Sequence, residues 1–349
     1  MSTIKVLIID DSAMVRKILK RELEKEKEIE VVGTAPDPYI GRDKIIKLKP
    51  DVVLLDIEMP KMDGLTFLEK LMRYYPLPVI IISSLAECGG ELALKAIELG
   101  AAEVIAKPGS SYTIGEMTVQ VCEKIKAVNK MSFKKYLKED NLEIKKSERE
   151  KSTDTKSSLL KTSEKIIAIG ASTGGTKALK VLLSSLPAYM PPILLVQHMP
   201  EHFTSSFARS LNSICHLNVE EASDGDLLSS GKVLLAPGNK HILLKRSGAS
   251  FYVEVSDGEM VHHQRPSVDV LFNSVAQYAG RNAIGVILTG MGKDGASGLL
   301  AMKKEGAYTI AQDEASCIVY GMPKEAVSLG AVDEVVPLKK ISSLLLKKT

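Results

Sequence analysis

Length and composition place the chain among ordinary globular proteins. At about 150 residues per domain, its 349 residues are too many for one core and predict two domains. The 45% hydrophobic and 26% charged content excludes a disordered or membrane-embedded chain. A formal charge of +3, from 46 basic and 43 acidic residues, is too small for this length to indicate a nucleic-acid or membrane surface.

The cysteines and the N-terminus predict a reducing compartment. The chain has four widely separated cysteines, Cys88, Cys122, Cys215 and Cys317. They form no C-x-x-C pair, so neither a disulfide framework nor a zinc site is indicated. The apolar run at residues 4–9 leads into Asp10 and Asp11, which the core of a signal peptide would exclude. We therefore expect a cytoplasmic protein with no direct membrane insertion and no nucleic-acid partner.

The first 125 residues alternate short apolar runs with helical patterns, which predicts a doubly wound parallel sheet. Five strands are expected, at Ile4 to Ile9, Ile29 to Val32, Val52 to Leu55, Val79 to Ile82 and Val104 to Ala106. The clearest helix follows the first strand, with Asp11 or Ser12 as its cap. We predict a domain over residues 1–125.

A charged segment follows the first domain. Between Lys126 and Lys165 the chain has 12 basic and 7 acidic residues with Ser and Thr, and too few apolar side chains to build a core. We predict a linker over residues 126–162 and a second domain over residues 163–349.

The second domain repeats the alternation of strands and helices. Parallel strands are expected at Ile166 to Ile169, Ile193 to Val196, Val233 to Ala236 and Ile284 to Leu288. Helices are expected at Thr176 to Leu186, His202 to Leu211, Val268 to Ala279, Ala296 to Lys304 and Pro323 to Leu329. Two short runs flank Ser247 and Gly248, which predicts an antiparallel hairpin at one edge of the sheet. The domain is therefore a Rossmann-like α/β fold with a hairpin.

Polar residues end several strands of the first domain. Asp10 and Asp11 follow the first strand, Asp56 the third, Ser83 the fourth and Lys107 the fifth. The carboxyl ends of parallel strands converge on one crevice, so these groups are expected to meet there. Clustered carboxylates favour Mg²⁺, and Asp56 is placed to attack a phosphoryl group with Lys107 balancing the charge.

Each of these residues has an ordinary alternative, such as a helix cap for Asp10 or a solvated charge for Asp56. All of them in this order, with D-I-E-M-P-K-M-D-G after the third strand, form a specific pattern. The segment resembles the receiver domain of bacterial response regulators, which is flavodoxin-like. The resemblance implies phosphorylation of Asp56 by a histidine kinase, Mg²⁺ bound by Asp10, Asp11 and Asp56, and switch roles for Ser83 and Lys107.

A glycine-rich turn opens the second domain. The strand at Ile166 leads into G-A-S-T-G-G and then a helix, so Ser172 occupies a strand-to-helix turn typical of a nucleophile. The helix N-terminus would supply N–H groups to a developing oxyanion. A phosphate-binding loop at residues 170–175 explains this motif equally well.

A base and an acid favour hydrolysis. His198 ends the second strand in L-L-V-Q-H-M-P, a position that none of the other histidines shares, and Asp294 follows the strand Ile284 to Leu288 in L-T-G-M-G-K-D-G. Asp294 is alternatively a helix cap before Gly295. The glycines on either side of Met291 would leave its backbone N–H free for a substrate oxygen. The chain order Ser, His, Asp differs from that of α/β-hydrolases and indicates a separate lineage.

Nearly the whole chain resembles the CheB family, the protein-glutamate methylesterases of bacterial chemotaxis. The resemblance rests on I-G-A-S-T-G-G, V-Q-H-M-P, R-P-S-V-D-V-L-F and L-T-G-M-G-K-D-G. It implies a catalytic triad of Ser172, His198 and Asp294, with the Met291 backbone in the oxyanion hole. Thr173 and residues 265–269 would line the site.

The resemblance also implies an activity and its partners. The expected enzyme is a phosphorylation-regulated esterase that demethylates glutamate γ-methyl esters, and deamidates glutamines, on the cytoplasmic domains of methyl-accepting chemoreceptors. A chemotaxis histidine kinase would be its partner, and the esterase step would need no cofactor. We further hypothesise that the unphosphorylated receiver covers the Ser172 crevice. The competing hypotheses are a phosphate or nucleotide binder at residues 170–175 and a DNA-binding output, for which no helix-turn-helix pattern or basic stripe is visible.

Overall fold

The computed structural model describes residues 3–83, 89–107, 114–131 and 165–349. These residues divide into two compact units. The predicted linker from residue 132 onward and Cys88 lie outside the described residues. Among the described helices, none combines the length and the apolarity needed to cross a membrane.

The first unit is a five-stranded parallel sheet with helices between its strands. Its strands are β1 (Ile4–Ile9), β2 (Ile29–Ala35), β3 (Val52–Asp56), β4 (Val79–Ser83) and β5 (Glu103–Ala106). Its helices are α1 (Ala13–Leu23), α2 (Pro38–Leu48), α3 (Gly64–Tyr74), α4 (Gly89–Glu98) and α5 (Ile114–Lys130). The order in the sheet is β2-β1-β3-β4-β5, as a doubly wound fold requires.

Local sequence explains where the first three helices begin. Ser12, Asp37 and Asp63 are the N-caps of α1, α2 and α3, and each side chain accepts a hydrogen bond from a backbone N–H in the first turn. The strands between the helices are continuous apolar runs; Leu7 and Leu55, for example, are fully buried. Burial on both faces is typical of a parallel sheet covered by helices.

The second unit contains a seven-stranded parallel sheet. Its strands are β6 (Ile166–Ala171), β7 (Ile193–Gln197), β8 (Asn218–Glu221), β9 (Lys232–Leu235), β12 (Ala283–Ile287), β13 (Tyr308–Gln312) and β14 (Glu334–Val336). Its helices are α6 (Gly175–Ser184), α7 (Phe203–Ile214), α8 (Val268–Ala279), α9 (Ala296–Lys304), α10 (Met322–Ser328) and α11 (Leu338–Lys348). The order is β14-β13-β12-β6-β7-β9-β8.

The doubly wound prediction is confirmed for both units, with local differences in the second. The predicted antiparallel hairpin is present as β10 (His241–Ser247) and β11 (Ser250–Ser256), which form a two-stranded sheet of their own instead of joining the main sheet. Its buried residues Leu244 and Val253 belong to the same apolar core as α8. Strands β8, β13 and β14 and helix α11 were not predicted, because these segments are short or mix polar and apolar residues.

Candidate active site

The acidic residues of the first unit meet at the carboxyl edge of its sheet. Asp10 follows β1, and Asp56 ends β3; both are buried, whereas Asp11 is exposed. One carboxylate oxygen of each of these three residues lies within 4.8 Å of those of the other two. The Lys107 Nζ lies 2.6 Å from Asp56 Oδ2 and 3.1 Å from Asp10 Oδ2.

Burial and the lysine act in opposite directions on this cluster. Burial raises the pKa of Asp56 to about 6, and the hydrogen bond and charge of Lys107 only partly offset it. Burial also acts to lower the pKa of Lys107, but the bond to Asp56 and the charge of Asp10 outweigh it, so that pKa rises. In the described chain the Lys107 ammonium, 3.1 Å away, is the one cation beside the buried Asp10 Oδ2, and this oxygen accepts no further hydrogen bond. Buried carboxylate oxygens with spare acceptor capacity fit a hard cation such as Mg²⁺.

Two further residues complete this edge. Ser83 ends β4 and is buried, and its carbonyl accepts a hydrogen bond of 2.7 Å from the Lys107 N–H. Sequence reasoning missed Arg16, whose Nη1 donates to the carbonyls of Asp10 and Asp11 at 2.7 and 2.9 Å. Arg16 lies on α1, six residues after Asp10 and five after Asp11, which precede the helix, so no local spacing rule marks it.

Ser172 lies directly after β6, on the turn into α6. Its N–H donates to the Thr289 carbonyl at 3.0 Å, and its carbonyl accepts from the Gly175 N–H at 2.7 Å. Gly174 has a φ of +78°, which favours glycine at the start of α6. A Cβ on Gly290 would lie 2.7 Å from the Ser172 Cβ, so only glycine fits beside this serine.

His198 and Asp294 form a buried pair beyond β7 and β12. The His198 Nε2 lies 2.8 Å from Asp294 Oδ2, and both side chains are almost fully inaccessible to solvent. The register pairs Ala171 with Gln197, so Ser172 and His198 are the next residues of two adjacent strands. With Nε2 committed to Asp294, Nδ1 is the imidazole nitrogen available as a base.

Asp294 receives hydrogen bonds from the start of helix α8. Oδ1 accepts from Ser267 Oγ at 2.7 Å and from the Asp269 N–H at 3.0 Å, and Oδ2 accepts from the Val268 N–H at 2.8 Å. Burial acts to raise the pKa of Asp294, but His198 and these donors outweigh it and the pKa is lowered. The carboxylate is thereby held in its charged form.

This geometry decides against the alternative interpretation of Asp294 as the cap of its own helix. The N-cap of α9 is Gly295, and Asp294 instead satisfies N–H groups of α8, which lies earlier in the chain. Asp294 is not the cap because the left-handed Gly295, with φ of +87°, turns the backbone away from Asp294 before α9 begins.

The residues predicted to line the site have different partners. In residues 265–269, Ser267, Val268 and Asp269 donate to Asp294, whereas the Arg265 guanidinium binds the Asn239 side chain and loop carbonyls. Thr173 is buried, and its carbonyl accepts a hydrogen bond of 2.9 Å from Thr289 Oγ1.

Met291 lies in the loop after β12 where the sequence placed it. A Cβ on Gly321 would lie 3.0 Å from the Met291 Cα, so a glycine backbone packs against it. Within the described residues the Met291 N–H makes no hydrogen bond, whereas the Gly290 N–H donates to the Val319 carbonyl at 3.1 Å.

A second His–Asp pair adjoins the first. The His262 Nε2 lies 3.1 Å from Asp269 Oδ2, while the Gly298 N–H donates to Asp269 Oδ1 at 2.6 Å. Sequence reasoning singled out His198 among the histidines and did not find this pair. Both oxygens of Asp269 and of Asp294 already have hydrogen-bond partners, so we assign no metal to these residues and His262, although one ligand atom of each lies within 4.8 Å of the others.

Comparison with known proteins links both units to described families. Residues 6–118 match the response regulator receiver domain, and residues 167–345 match the CheB methylesterase family. A protein-glutamate methylesterase/protein-glutamine glutaminase of Syntrophus aciditrophicus is 59% identical over 99% of both chains. A protein of the same name from Geobacter metallireducens is 50% identical, again over 99% of both chains.

The second unit is similar to a solved catalytic domain. The CheB methylesterase catalytic domain of Thermotoga maritima is 40% identical, with a TM-score of 0.52. The match covers 53% of this chain and 98% of that one. The similarity of the catalytic unit therefore extends to its three-dimensional fold.

Proposed function

Because the chain belongs to the CheB family of protein-glutamate methylesterases, we propose that it hydrolyses glutamate γ-methyl esters on chemoreceptors. We propose that it also deamidates receptor glutamines and that phosphorylation of its receiver domain regulates it. The observation that carries the proposal is the buried His198–Asp294 pair, at 2.8 Å, beside the Ser172 turn. An acid that orients a histidine next to a serine is the arrangement that makes a hydroxyl nucleophilic.

In the proposed reaction, the Ser172 Oγ attacks the ester carbonyl carbon while His198 accepts the hydroxyl proton at Nδ1. His198 then gives that proton to the departing methoxy group, so methanol leaves and an acyl-enzyme remains. Water attacks the acyl-enzyme with His198 as base, which yields the glutamate carboxylate and restores Ser172. Deamidation follows the same steps with ammonia as the leaving group.

The Met291 N–H is the proposed oxyanion donor. It makes no hydrogen bond within the described residues, and its loop is adjacent to Ser172 through Gly290. The Ser172 N–H is committed to Thr289 O and so is not available for this role. We assign the second donor to Thr173, which follows Ser172 and is buried. Such donors typically contribute about a hundredfold to a thousandfold in rate.

The hydrogen bonding of the glycine turn disfavours the phosphate-binding alternative. A phosphate loop presents several free backbone N–H groups to its ligand. Here the N–H of Ser172 donates to Thr289 O, and that of Gly175 donates to Ser172 O. Acyl transfer uses the Ser172 hydroxyl and leaves these bonds intact.

For the receiver domain, we propose that a histidine kinase phosphorylates Asp56. Asp10, Asp11 and Asp56 would hold Mg²⁺, whose charge would offset that of the phosphoryl oxygens. Lys107 would remain close to Asp56 and bind the phosphoryl group. Ser83 would act as a switch residue that changes its contacts when Asp56 is phosphorylated. The proposed kinase and receptor partners lead us to propose a cytoplasmic location, and we retain 1–125, 126–162 and 163–349 as the proposed domain limits.

Methanol release from a methylated chemoreceptor fragment tests the proposal. We expect the full-length protein to release methanol and Ser172→Ala to release it roughly a thousandfold more slowly or worse. Ser213→Ala, an exposed serine on α7, is the matched control and should keep the normal rate. Full activity in Ser172→Ala would contradict the proposed nucleophile. A small phosphodonor should raise the rate, and Asp56→Asn should abolish both phosphate incorporation and that stimulation.

A further inference from the structure

A buried amide lies between the proposed nucleophile and the proposed base. Gln197 is the last residue of β7, is 2% exposed, and pairs in register with Ala171 at the end of β6. The next residues of these strands are Ser172 and His198. The β6–β7 ladder thus ends immediately before the two residues whose separation matters most for acyl transfer.

The Gln197 side chain joins the backbone on both sides of this gap. Its Nε2 donates to the Ser172 carbonyl at 3.0 Å and to the His198 carbonyl at 3.2 Å. Past the last register pair, the backbone hydrogen bond from the His198 N–H to the Ala171 carbonyl, at 3.1 Å, also connects the two strands. The amide therefore extends the pairing of the two strands beyond the point where they leave the sheet.

The orientation of the amide follows from its neighbours. Two carbonyl oxygens surround Nε2, and a reversed amide would place Oε1 against both of them. In the orientation observed, Oε1 is buried and has no hydrogen-bond partner in the described chain. It faces Gly175, where an added Cβ would lie 2.1 Å from it.

An unpartnered buried oxygen makes Gln197 a costly residue for packing alone. Leaving such an acceptor without a partner lowers the stability of the folded state. A methionine of similar size would fill the same space and avoid this cost. Stability therefore does not explain the amide, whereas the two hydrogen bonds to the reacting residues do.

We propose that Gln197 is a positioning residue that fixes the distance between Ser172 and His198. This inference rests on the proposed function, in which Ser172 is the nucleophile. A displacement of about 1 Å between reacting groups can lower a rate by about a hundredfold. Gln197 touches neither substrate nor the transferred proton, and acts through the two backbone carbonyls.

Gln197→Met removes both donated hydrogen bonds and the unpartnered oxygen while conserving volume. We expect kcat to fall about tenfold to a hundredfold with KM changed less than about twofold. The thermal midpoint should change little, because removal of the unpartnered oxygen offsets the loss of the two donated bonds. A merely structural role would give the opposite result, with a lower midpoint and normal kcat per folded molecule.

Gln197→Glu supplies a readout that a packing residue would not affect. Its carboxylate cannot donate to the two carbonyls, whereas its protonated form can donate to one of them. Burial next to carbonyl oxygens raises the pKa of such a carboxyl. The rate of Gln197→Glu relative to the wild type should therefore increase as the pH is lowered, and Gln197→Met should show no such recovery.

Thr309→Val is the matched control. Thr309 is a fully buried, hydrogen-bonded residue on β13 of the same sheet, and its Oγ1 lies 3.0 Å from Asp333 Oδ2. Losing this bond should lower the thermal midpoint without changing the rate per folded molecule. Its comparison with Gln197→Met separates general destabilisation from loss of positioning.

A fluorophosphonate measures nucleophile activation without any receptor. The Ser172 Oγ–P bond forms, the P–F bond breaks, fluoride leaves and His198 takes the hydroxyl proton. Labelling of the full-length chain is followed by mass spectrometry between about pH 5 and pH 8, and we expect Gln197→Met to react at least tenfold more slowly. Labelling of Gln197→Met at the wild-type rate would overturn the positioning role alone. Failure of the wild type to be labelled at Ser172 would overturn the proposed nucleophile as well. If Gln197→Met does not fold, a pH-independent rate ratio for Gln197→Glu overturns the inference.

Discussion

Both parallel sheets place buried carboxylates at their carboxyl edge, but the surroundings shift the pKa of the key carboxylate in opposite directions. At the first edge, Asp10 and Asp56 share Lys107 as their cation, and burial raises the pKa of Asp56 to about 6. At the second edge, Asp294 accepts hydrogen bonds from His198 and three groups of α8, and its pKa is lowered.

This contrast shows that strand-end topology alone does not determine what an edge can do. A carboxylate cluster with fewer hydrogen-bond donors than acceptor sites can bind another cation, and its net charge can change on phosphorylation. A carboxylate whose acceptor sites are filled keeps one charge and one orientation, as an acid that holds a histidine must. The number of donors, supplied by loops and helix ends, distinguishes a switch from a catalytic centre.

Among the variants that test this comparison, Asp294→Asn should have the largest effect on activity. The asparagine has only one acceptor oxygen and turns its NH₂ toward groups that are themselves donors. We expect kcat for methanol release to fall by about a thousandfold or more, because His198 loses both its orientation and the charge that stabilises its protonated form. Steady-state methanol assays on the folded variant measure this.

The stability of the same variant provides the control. Leaving the N–H groups of α8 without their acceptor should lower the free energy of unfolding by about 1–3 kcal/mol. The wild-type bonds should persist in acid until the pH falls through the lowered pKa of Asp294, below its ordinary value of 3.8. Unchanged stability in Asp294→Asn would show that the capping bonds contribute nothing.

Ser267→Ala should have a smaller effect of the same kind. It removes the 2.7 Å bond to Asp294 Oδ1 and the N-cap of α8. We expect a loss of about 1–2 kcal/mol in stability and a fivefold to tenfold fall in kcat. Denaturant unfolding and methanol assays measure the two quantities.

Ser12→Ala is the matched cap variant at the other sheet. Ser12 caps α1, where its Oγ accepts from the Val15 N–H at 3.4 Å. It should lose about 1 kcal/mol of stability but keep the normal rate of methanol release without a phosphodonor. Equal losses of kcat in the two serine variants would contradict a specific link between Ser267 and Asp294.

Asp56→Asn should be the mildest change and should stabilise the chain. Because burial raises the pKa of Asp56 from 3.8 to about 6, the folded state binds more protons than the unfolded state between these values. The contribution of Asp56 to the free energy of unfolding therefore falls as the pH rises from 3.8 to about 6, and it stays at this lower level above pH 6. Asparagine cannot ionise, so we expect a gain of about 1 kcal/mol at neutral pH, after allowance for solvent screening.

Calorimetry without divalent cations can follow this gain across the pH range. The difference between Asp56→Asn and the wild type should shrink as the pH falls from about 6 toward 3.8. A stabilisation that does not change with pH would point to packing instead of ionisation.

Sequence predicted those parts of the two edges that depend on chain continuity. Asp10, Asp56 and Lys107 lie at the carboxyl ends of three apolar strands, β1, β3 and β5, and the same reasoning placed His198 and Asp294 beyond β7 and β12 of the second sheet. These residues meet because parallel strands end at one edge of a sheet. The apolar runs that identified the strands are the ones that the structure buries.

The remaining parts depend on long-range packing that a local pattern does not encode. The donors to Asp294 come from residues 25–27 positions earlier, at the start of α8. Their position is set by the contact of α8 with α9, where a Cβ on Gly298 would lie 2.7 Å from the Phe272 Cβ. Gln197 could have been found from the sequence, because it is a polar residue at the end of an otherwise apolar strand.

Gly290 has a consequence for redesigning the enzyme. Its Cα faces the Ser172 Cβ on one side, and an added Cβ would also lie 2.3 Å from the Met322 Sδ. Directed evolution toward bulkier or smaller acyl groups therefore cannot use this position, since even alanine would displace the reacting serine. Variation that reshapes the substrate cleft must come from side chains farther from the nucleophile, while the backbone around it stays invariant.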